Sequence, residues 1–138
     1  MPERRLVRRA AAVVTEVDVS FSLLLPTYHA DDPEHLRRAF ASAVDEQTRK
    51  PDEVVLVRDG VVPPRLQTVI DELATGSPVP VRVVALAENI GLGHALDAGL
   101  SACAHEIVAR MDADDVSMPE RFAVQVPAPE PLPEVDRL

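Results

Sequence analysis

Three aspartates, Asp112, Asp114 and Asp115, stand within four residues, close behind the apolar run Ile107-Val108-Ala109. Two carboxylates about 5 Å apart repel by roughly 3 kcal/mol at an effective dielectric of about 20. A fold therefore keeps such a cluster where something neutralises it. Mg²⁺ or Mn²⁺ would do so, because both ions prefer carboxylate oxygens and keep positions open for phosphate. Considered alone, a solvated acidic turn that caps the following helix explains the stretch equally well.

The composition of the chain limits the classes of function. Its 138 residues carry a formal net charge of −9, which argues against a nucleic-acid binder because a phosphate backbone requires a basic face. Apolar residues make up 46% and charged residues 27%, as in an ordinary globular domain. The single cysteine, Cys103, excludes a disulfide within these residues and fits a reducing compartment. No apolar run approaches the roughly 18 residues of a membrane span, so we expect no transmembrane segment.

The two ends of the sequence differ from the rest. Residues 1–19 combine four arginines with an apolar stretch of only five residues, which is too short for an export signal. We expect a flexible basic extension there. Residues 127–138 begin with proline at alternate positions, which predicts an extended, mobile tail because proline removes backbone donors. The folded domain is therefore expected to span residues 20–126.

Four short apolar runs predict buried β-strands, because each is too short for a helix and is bounded by turn-forming residues. They are Phe21 to Leu25, which Pro26 closes, Val54 to Val57, Val81 to Leu86, and Glu106 to Met111. Amphipathic stretches between and after them predict helices. The first of these helices follows Asp32, the second is introduced by Pro63 and Pro64, and the third follows the glycine-containing turn Glu88 to His94. The last begins at Ser117, which has capping-box spacing to Glu120.

Strands that alternate with helices pair in parallel, with right-handed crossovers and helices on both faces. The predicted fold is therefore a Rossmann-like α/β domain with a mostly parallel sheet. Such sheets bind ligands at the carboxyl ends of their strands. Each predicted strand ends in polar residues, namely Thr27-Tyr28, Asp59, Asn89 and the acidic cluster. This convergence favours a metal site over a solvated turn.

Four segments, in this order, resemble the N-terminal half of family 2 glycosyltransferases, and specifically members similar to bacterial polysaccharide galactosyltransferases. The segments carry the motifs Pro26-Thr27-Tyr28, Arg58-Asp59-Gly60, Asn89-Ile90-Gly91-Leu92-Gly93 and Met111-Asp112-Ala113-Asp114-Asp115. The resemblance covers about residues 20–125. It implies the GT-A fold and inverting transfer from a nucleotide-diphosphate sugar, with a UDP-sugar favoured, to a saccharide or lipid-linked acceptor. It also implies a cytoplasmic location, with peripheral contact at the inner membrane face as an alternative.

The resemblance implies a role for each motif. Pro26-Thr27-Tyr28 would line the nucleotide pocket, Asp59 would hold the base or ribose, and Asn89 with Gly91 would shape the wall near the diphosphate. Plain packing of Tyr28 and simple turn formation by Asp59, Asn89 and Gly91 are the alternatives. In the last motif, Asp112-Ala113-Asp114 would be the DXD segment that holds Mg²⁺ or Mn²⁺ against the diphosphate, with Asp115 beside it.

Two positions depart from many members of the family, and one functional group is not identified. Arg58 stands where a second acidic residue is common, and Leu96 stands where arginine is common. In the family the acceptor-binding half, including the carboxylate that deprotonates the acceptor, lies beyond the DXD segment, so no general base is assigned here. We therefore expect an incomplete transferase, truncated after the DXD segment. A non-catalytic remnant, or a module that pairs with another chain, is the main alternative. A phosphotransferase that uses Asp112 as nucleophile is a third hypothesis.

Overall fold

The computed structural model describes residues 19–126, so the predicted basic extension up to residue 18 and the predicted tail from residue 127 lie outside the described residues. Strands and helices alternate, as predicted. In chain order the elements are β1 (Phe21–Thr27), α1 (Pro33–Phe40), a π-helical turn (Ala41–Asp45), β2 (Glu53–Arg58), α2 (Pro64–Gly76), β3 (Val81–Ala85), α3 (Leu92–Ala102), β4 (Ile107–Arg110) and α4 (Arg121–Gln125).

The four strands form one sheet in the order β3-β2-β1-β4, and every neighbouring pair is parallel. The chain moves outward from β1 to β3 and then returns across the sheet to place β4 on the other side of β1. The strand order therefore reverses between β1 and β4, and α/β sheets bind ligands at the carboxyl side of such a reversal. The predicted α/β fold with a parallel sheet and helices on both faces is confirmed.

The two faces of the sheet are covered by different helices. On one face α1, α2 and α4 enclose the larger core, which includes Phe21, Leu56 and Phe122. On the opposite face α3 packs on a smaller cluster around Leu24 and Val57. Gly99 permits this close approach, because a Cβ there would lie 2.5 Å from a methyl carbon of each of the latter two residues. None of the helices in residues 19–126 is long and apolar enough to cross a membrane.

The prediction that all four strands are buried is wrong for the two outer ones. Val83 of β3 is 36% exposed and Ile107 of β4 is 38% exposed, whereas β1 is buried throughout. The outer edges of β3 and β4 meet no further strand within residues 19–126. Only β1 and β2 are inner strands, so only their apolar residues are all buried, as the apolar sequence runs predicted for all four strands.

The first strand runs through Pro26 to Thr27 instead of ending at the proline. Alternate residues of a strand direct their backbone groups to opposite neighbours. Leu24 O accepts a hydrogen bond from Met111 N, next to β4, so Pro26, two residues later, also faces the β4 side. The pairing between β1 and β4 has already ended there, and the missing N–H of proline therefore breaks no ladder bond.

One predicted helix start is confirmed and another is wrong. Asp32 caps α1 by accepting hydrogen bonds from backbone amides of the first turn, including Glu34 N at 2.8 Å, and these bonds lower the pKa of its carboxyl group. Ser117, in contrast, caps no helix, because α4 begins at Arg121. The amide of Ser117 donates instead to Ser42 Oγ at 2.9 Å. A tertiary contact has therefore replaced the capping box that the spacing predicted.

Candidate functional site

A cavity of about 440 Å³ lies at the carboxyl edge of the sheet, where β1, β2 and β4 end. Its size is within the usual range for small-molecule sites. Nine predicted site residues line it: Pro26, Thr27, Tyr28, Asp59, Asn89, Gly91, Asp112, Ala113 and Asp114. Three further lining residues were missed by the sequence analysis, namely Asp31, Leu92 and Ala95. The structure thus brings the predicted motifs together, with Asp115 as the exception.

The loop after β1 is shaped by the carboxylate of Asp31. Its Oδ2 accepts hydrogen bonds from Thr27 Oγ1 at 2.9 Å and from Tyr28 N at 3.0 Å, and Asp31 N donates back to Tyr28 O. With this turn Tyr28 is 42% exposed and lines the cavity, so it is not a core residue. An aspartate four residues after a strand-end threonine is the sequence signal that could have identified Asp31.

Asp59 is both a turn-forming residue and a wall of the cavity. It is 5% exposed, and its Oδ1 accepts a hydrogen bond from Ile90 N at 2.8 Å. Its Oδ2 has no hydrogen-bond partner among residues 19–126. The next residue, Gly60, has φ +92°, and a Cβ there would lie 2.6 Å from Asn89 N. This close approach joins the turn after β2 to the turn after β3, so Asp59 and Asn89 share one wall.

Arg58, the departure from the family pattern, does not line the cavity. Its Nη1 donates to Gln67 Oε1 of α2 at 3.0 Å, and its Nη2 donates to Leu86 O after β3 at 3.3 Å. Its Nε is buried without a hydrogen-bond partner in the described part of the chain. The guanidinium therefore ties α2 to the end of β3 and leaves Asp59 as the acidic residue of that motif at the cavity.

The turn before α3 is formed by the predicted wall residues themselves. Asn89 Oδ1 accepts a hydrogen bond from Gly91 N at 3.1 Å. Gly91 has φ +92°, in the region that favours glycine, and it precedes the first residue of α3. Both residues line the cavity. Turn formation and a position in the wall therefore coincide here.

The acidic loop follows β4 as predicted, but its three carboxylates have different surroundings. Asp112 Oδ1 lies 3.1 Å from Arg110 Nη2, and Asp114 is exposed at the cavity wall with no hydrogen-bond partner in residues 19–126. Asp115 Oδ2 accepts a hydrogen bond from Asp112 N at 3.2 Å, which closes the loop on itself. Asp115 lines a separate groove beside Arg121 instead of the cavity.

The side chains at the cavity suit a hard cation that takes some of its ligands from the protein and the rest from a substrate. Within the described residues no three His, Cys, Asp or Glu side chains come together as a metal cage. Asp112 and Asp114 supply carboxylate oxygens, which suit Mg²⁺ and Mn²⁺. Mg²⁺ is commonly held by one or two carboxylates, with substrate phosphates and water completing its shell. Two carboxylates beside a ligand-sized cavity match that mode of binding.

The cavity wall is acidic. Asp31, Asp59, Asp112 and Asp114 contribute to it, and none of the described residues that line it is lysine or arginine. A diphosphate group that entered this cavity would therefore meet carboxylates, and a cation between the two sets of oxygens would offset their repulsion.

Sequence comparison links the chain to characterised proteins. Residues 22–131 match the family model for glycosyl transferase family 2. The amylovoran biosynthesis glycosyltransferase AmsE of Erwinia amylovora is 44% identical over 115 residues, which cover 83% of this chain and 42% of the relative. A UDP-Gal:alpha-D-GlcNAc-diphosphoundecaprenol beta-1,3-galactosyltransferase of Escherichia coli is 39% identical over 102 residues, covering 74% and 36% respectively. The chain thus spans about two-fifths of the length of these curated relatives.

Solved structures share the fold. The mannosyltransferase PcManGT from Pyrobaculum calidifontis, in complex with GDP-Man and Mn²⁺, matches with a TM-score of 0.65 and 24% identity over 78% of this chain and 31% of its own. S. aureus TarS 1-349 in complex with UDP matches with a TM-score of 0.64 and 23% identity over 75% and 30%. These likenesses agree with the GT-A fold that the resemblance implied. With the family match over most of its length, the chain belongs to glycosyl transferase family 2.

Proposed function

We propose that this chain is the donor-binding part of an inverting glycosyltransferase and binds a nucleotide-diphosphate sugar through a divalent metal. One observation carries the proposal: the cavity at the strand-order reversal is lined by carboxylates and, within the described residues, by no basic side chain. A nucleotide diphosphate is itself anionic, so this cavity should bind it more tightly when a cation is bound as well.

In the proposal, Asp112 and Asp114 hold Mg²⁺ or Mn²⁺ against the diphosphate. Both residues line the cavity, and PcManGT, which shares the fold, was solved with GDP-Man and Mn²⁺. When bound, the cation would neutralise charge on the departing nucleotide diphosphate. Arg110 orients the Asp112 carboxylate through its 3.1 Å contact. The carboxylate of Asp115 stabilises the loop by accepting a hydrogen bond from Asp112 N. We therefore propose that Asp115 contributes to metal binding only by shaping this loop.

The nucleoside would occupy the wall formed by the ends of β1, β2 and β3. The exposed ring of Tyr28 offers a stacking surface, and Asp59 Oδ2 offers an acceptor for a base N–H or a ribose hydroxyl. Pro26, Thr27, Asn89 and Gly91 would complete this wall. A uridine nucleotide is the favoured donor, because TarS was solved with UDP and with UDP-GlcNAc. The E. coli relative is named for transfer from UDP-Gal.

The acceptor and the cellular role are proposed from the curated relatives. The names of those relatives refer to amylovoran biosynthesis and to a diphosphoundecaprenol acceptor. We infer a saccharide or lipid-linked acceptor and a part in polysaccharide biosynthesis, at a cytoplasmic location or at the inner face of the membrane. The reaction would be attack of an acceptor hydroxyl on the anomeric carbon, with inversion and release of the nucleotide diphosphate.

No general base is assigned. Three of the cavity carboxylates already have partners: Asp31 accepts two hydrogen bonds, Asp59 accepts one, and Asp112 pairs with Arg110. Since the chain covers 42% of its AmsE relative, donor binding is the part of the reaction that we propose for these residues.

A second candidate function is a non-catalytic module that pairs with another chain. The observation that favours it is the outer edge of β4, which meets no strand within residues 19–126 and leaves Ile107 38% exposed. Hydrolysis of, or transfer from, a UDP-sugar by the chain alone, abolished by Asp114→Ala, would exclude this second candidate.

Calorimetric titration of UDP with and without Mn²⁺ tests the main proposal. We expect Mn²⁺ to raise the affinity of the wild-type chain for UDP at least about tenfold, within the usual range of coupling between two ligands. Asp114→Asn should reduce this enhancement to about threefold or less, because it removes one of two anionic ligands. Asp97→Asn, an equal change of charge at an exposed position of α3, is the matched control. An enhancement that Asp114→Asn leaves intact would contradict the proposal.

A further inference from the structure

We propose that Gln47, together with Ser42, positions the acidic loop 112–116 for its metal and diphosphate ligands. These two residues lie in and just after the π-helical turn (Ala41–Asp45) and do not line the cavity. We name them the Ser42–Gln47 clamp. The inference rests on the proposed function, since the clamp acts only through the loop that carries the two metal-binding aspartates.

The π-helical turn leaves the carbonyl group of Ser42 without its α-helical partner. In an α-helix Ser42 O would accept from the amide of Glu46, but Glu46 N donates to Ala41 O at 2.9 Å instead. The amide of Gln47 donates to Val44 O at 3.4 Å. The side chain of Gln47 fills the free position, because its Nε2 donates to Ser42 O at 2.9 Å. The π turn, a feature frequent at functional sites, therefore provides the acceptor that orients Gln47.

The clamp holds the segment that follows the acidic loop. Gln47 Nε2 also donates to Met118 O at 2.6 Å, and Gln47 Oε1 accepts from Phe122 N at 3.2 Å. Ser42 Oγ accepts from Ser117 N at 2.9 Å. Gln47 is 3% exposed and Ser42 is 1% exposed, so losing a partner leaves a polar group of a buried side chain unsatisfied. The segment between β4 and α4 is neither helix nor strand. The hydrogen bonds of the clamp therefore hold its backbone in place, as helix or sheet hydrogen bonds do elsewhere in the chain.

The acidic loop is thereby fixed at both ends. Before it, Met111 N donates to Leu24 O of β1 at 3.0 Å, and behind it Ser117 is held by the clamp. Only the five residues 112–116 span the interval. Movement of Ser117 would displace Asp114, three residues away, whereas the nucleoside wall belongs to β1, β2 and β3. Breaking the clamp should therefore reduce the gain in UDP affinity that the metal provides and leave the metal-free affinity for UDP unchanged.

Two substitutions break the clamp at different atoms. Gln47→Met keeps the length of the side chain but removes three hydrogen bonds, and Ser42→Ala removes the acceptor of the Ser117 amide. Val69→Ala is the control for loss of stability, because Val69 is 3% exposed on α2, which packs against α1 and β3. For each variant, the affinity for UDP is measured with and without Mn²⁺ by calorimetry, and the folded fraction is measured by circular dichroism.

We expect both clamp variants to reduce the Mn²⁺ enhancement of UDP affinity from about tenfold or more to about threefold or less. The metal-free affinity for UDP should be unchanged, and Val69→Ala should keep the wild-type enhancement. Clamp variants that retain the wild-type enhancement would overturn the clamp and leave the proposed function standing. A wild-type chain with no Mn²⁺ enhancement would overturn both. If Gln47→Met does not fold, Ser42→Ala decides the question alone.

Discussion

A buried carboxylate lies at each end of β2, and the two carboxylates have different hydrogen-bond partners. At the amino end Glu53 is 7% exposed, and its Oε2 accepts hydrogen bonds from Ser22 Oγ at 2.6 Å and from Ala104 N at 2.5 Å. At the carboxyl end Asp59 is 5% exposed, and its Oδ1 accepts from Ile90 N, while its Oδ2 has no partner among residues 19–126. The amino end is closed by hydrogen bonds, and the carboxyl end keeps an acceptor available.

The pKa of Glu53 reflects this closure. Burial raises the pKa of its carboxyl group, but the hydrogen bonds from Ala104 N and Ser22 Oγ lower it. The lowering is the larger effect, so the pKa lies below its usual value. Ionised Glu53 therefore stabilises the fold by joining β1, β2 and the loop before β4. One strand thus carries a buried carboxylate at each end, hydrogen-bonded within the fold at the amino end and, in the function proposed here, binding a ligand at the carboxyl end.

The largest expected effect is on stability at the amino end. Glu53→Ala leaves Ser22 Oγ and Ala104 N without their charged acceptor, and we expect the free energy of unfolding to fall by about 3 kcal/mol. Glu106→Ala, at an exposed position near the same end of the sheet, should change it by less than about 0.5 kcal/mol. Urea denaturation measures both values. Equal small effects would show that Glu53 is not a structural tie.

The second effect is on binding at the carboxyl end. Asp59→Asn can keep the hydrogen bond from Ile90 N but replaces the free acceptor with an amide, so we expect the affinity for UDP to fall about tenfold, or roughly 1.4 kcal/mol. Asp52→Asn is the matched control, because Asp52 Oδ2 accepts from Phe21 N at 2.9 Å at the opposite end of β2. Titration with UDP compares the two variants, and an equal loss in both would remove the distinction between the two ends.

The smallest effect is a dependence of stability on pH. Because the pKa of Glu53 is lowered on folding, its contribution is fully present above the pKa of an unfolded glutamate, about 4.3. The contribution is lost as the pH falls through the lower pKa of the folded state. The difference in unfolding free energy between wild type and Glu53→Gln should therefore be constant at neutral pH and shrink below about pH 4.3. A difference that grows on acidification, measured by denaturation at several pH values, would have the wrong sign.

Much of the fold followed from local patterns, because apolar runs and turn residues mark strands in any parallel α/β domain. The carboxyl ends of those strands brought Tyr28, Asp59, Asn89 and Asp112 together as expected. The exposure of β3 and β4 could not be predicted in this way, since an apolar run does not show whether a strand will be inner or outer. The prediction that Pro26 ends β1 was wrong because the effect of its missing N–H depends on which neighbouring strand it faces. That neighbour is set by the strand order, which local sequence does not show.

Other features depend on contacts between distant parts of the chain. Ser117 has the spacing of a helix cap, yet its amide bonds to Ser42, 75 residues earlier. Gln47 acts through Met118, which is 71 residues away. The role of Asp31 could have been predicted from the sequence, because its hydrogen bonds are local. It was missed because the next residue, Asp32, has the more familiar pattern of a helix cap. Tertiary pairing therefore sets the limit on what the sequence alone predicted.

The most direct test of the account compares UDP with uridine, each titrated into the wild-type chain with and without Mn²⁺. If Asp112 and Asp114 bind the cation jointly with the diphosphate, as proposed, Mn²⁺ should raise the affinity for UDP at least about tenfold and leave the affinity for uridine unchanged. An equal effect of Mn²⁺ on both ligands, or no effect on either, would contradict joint binding.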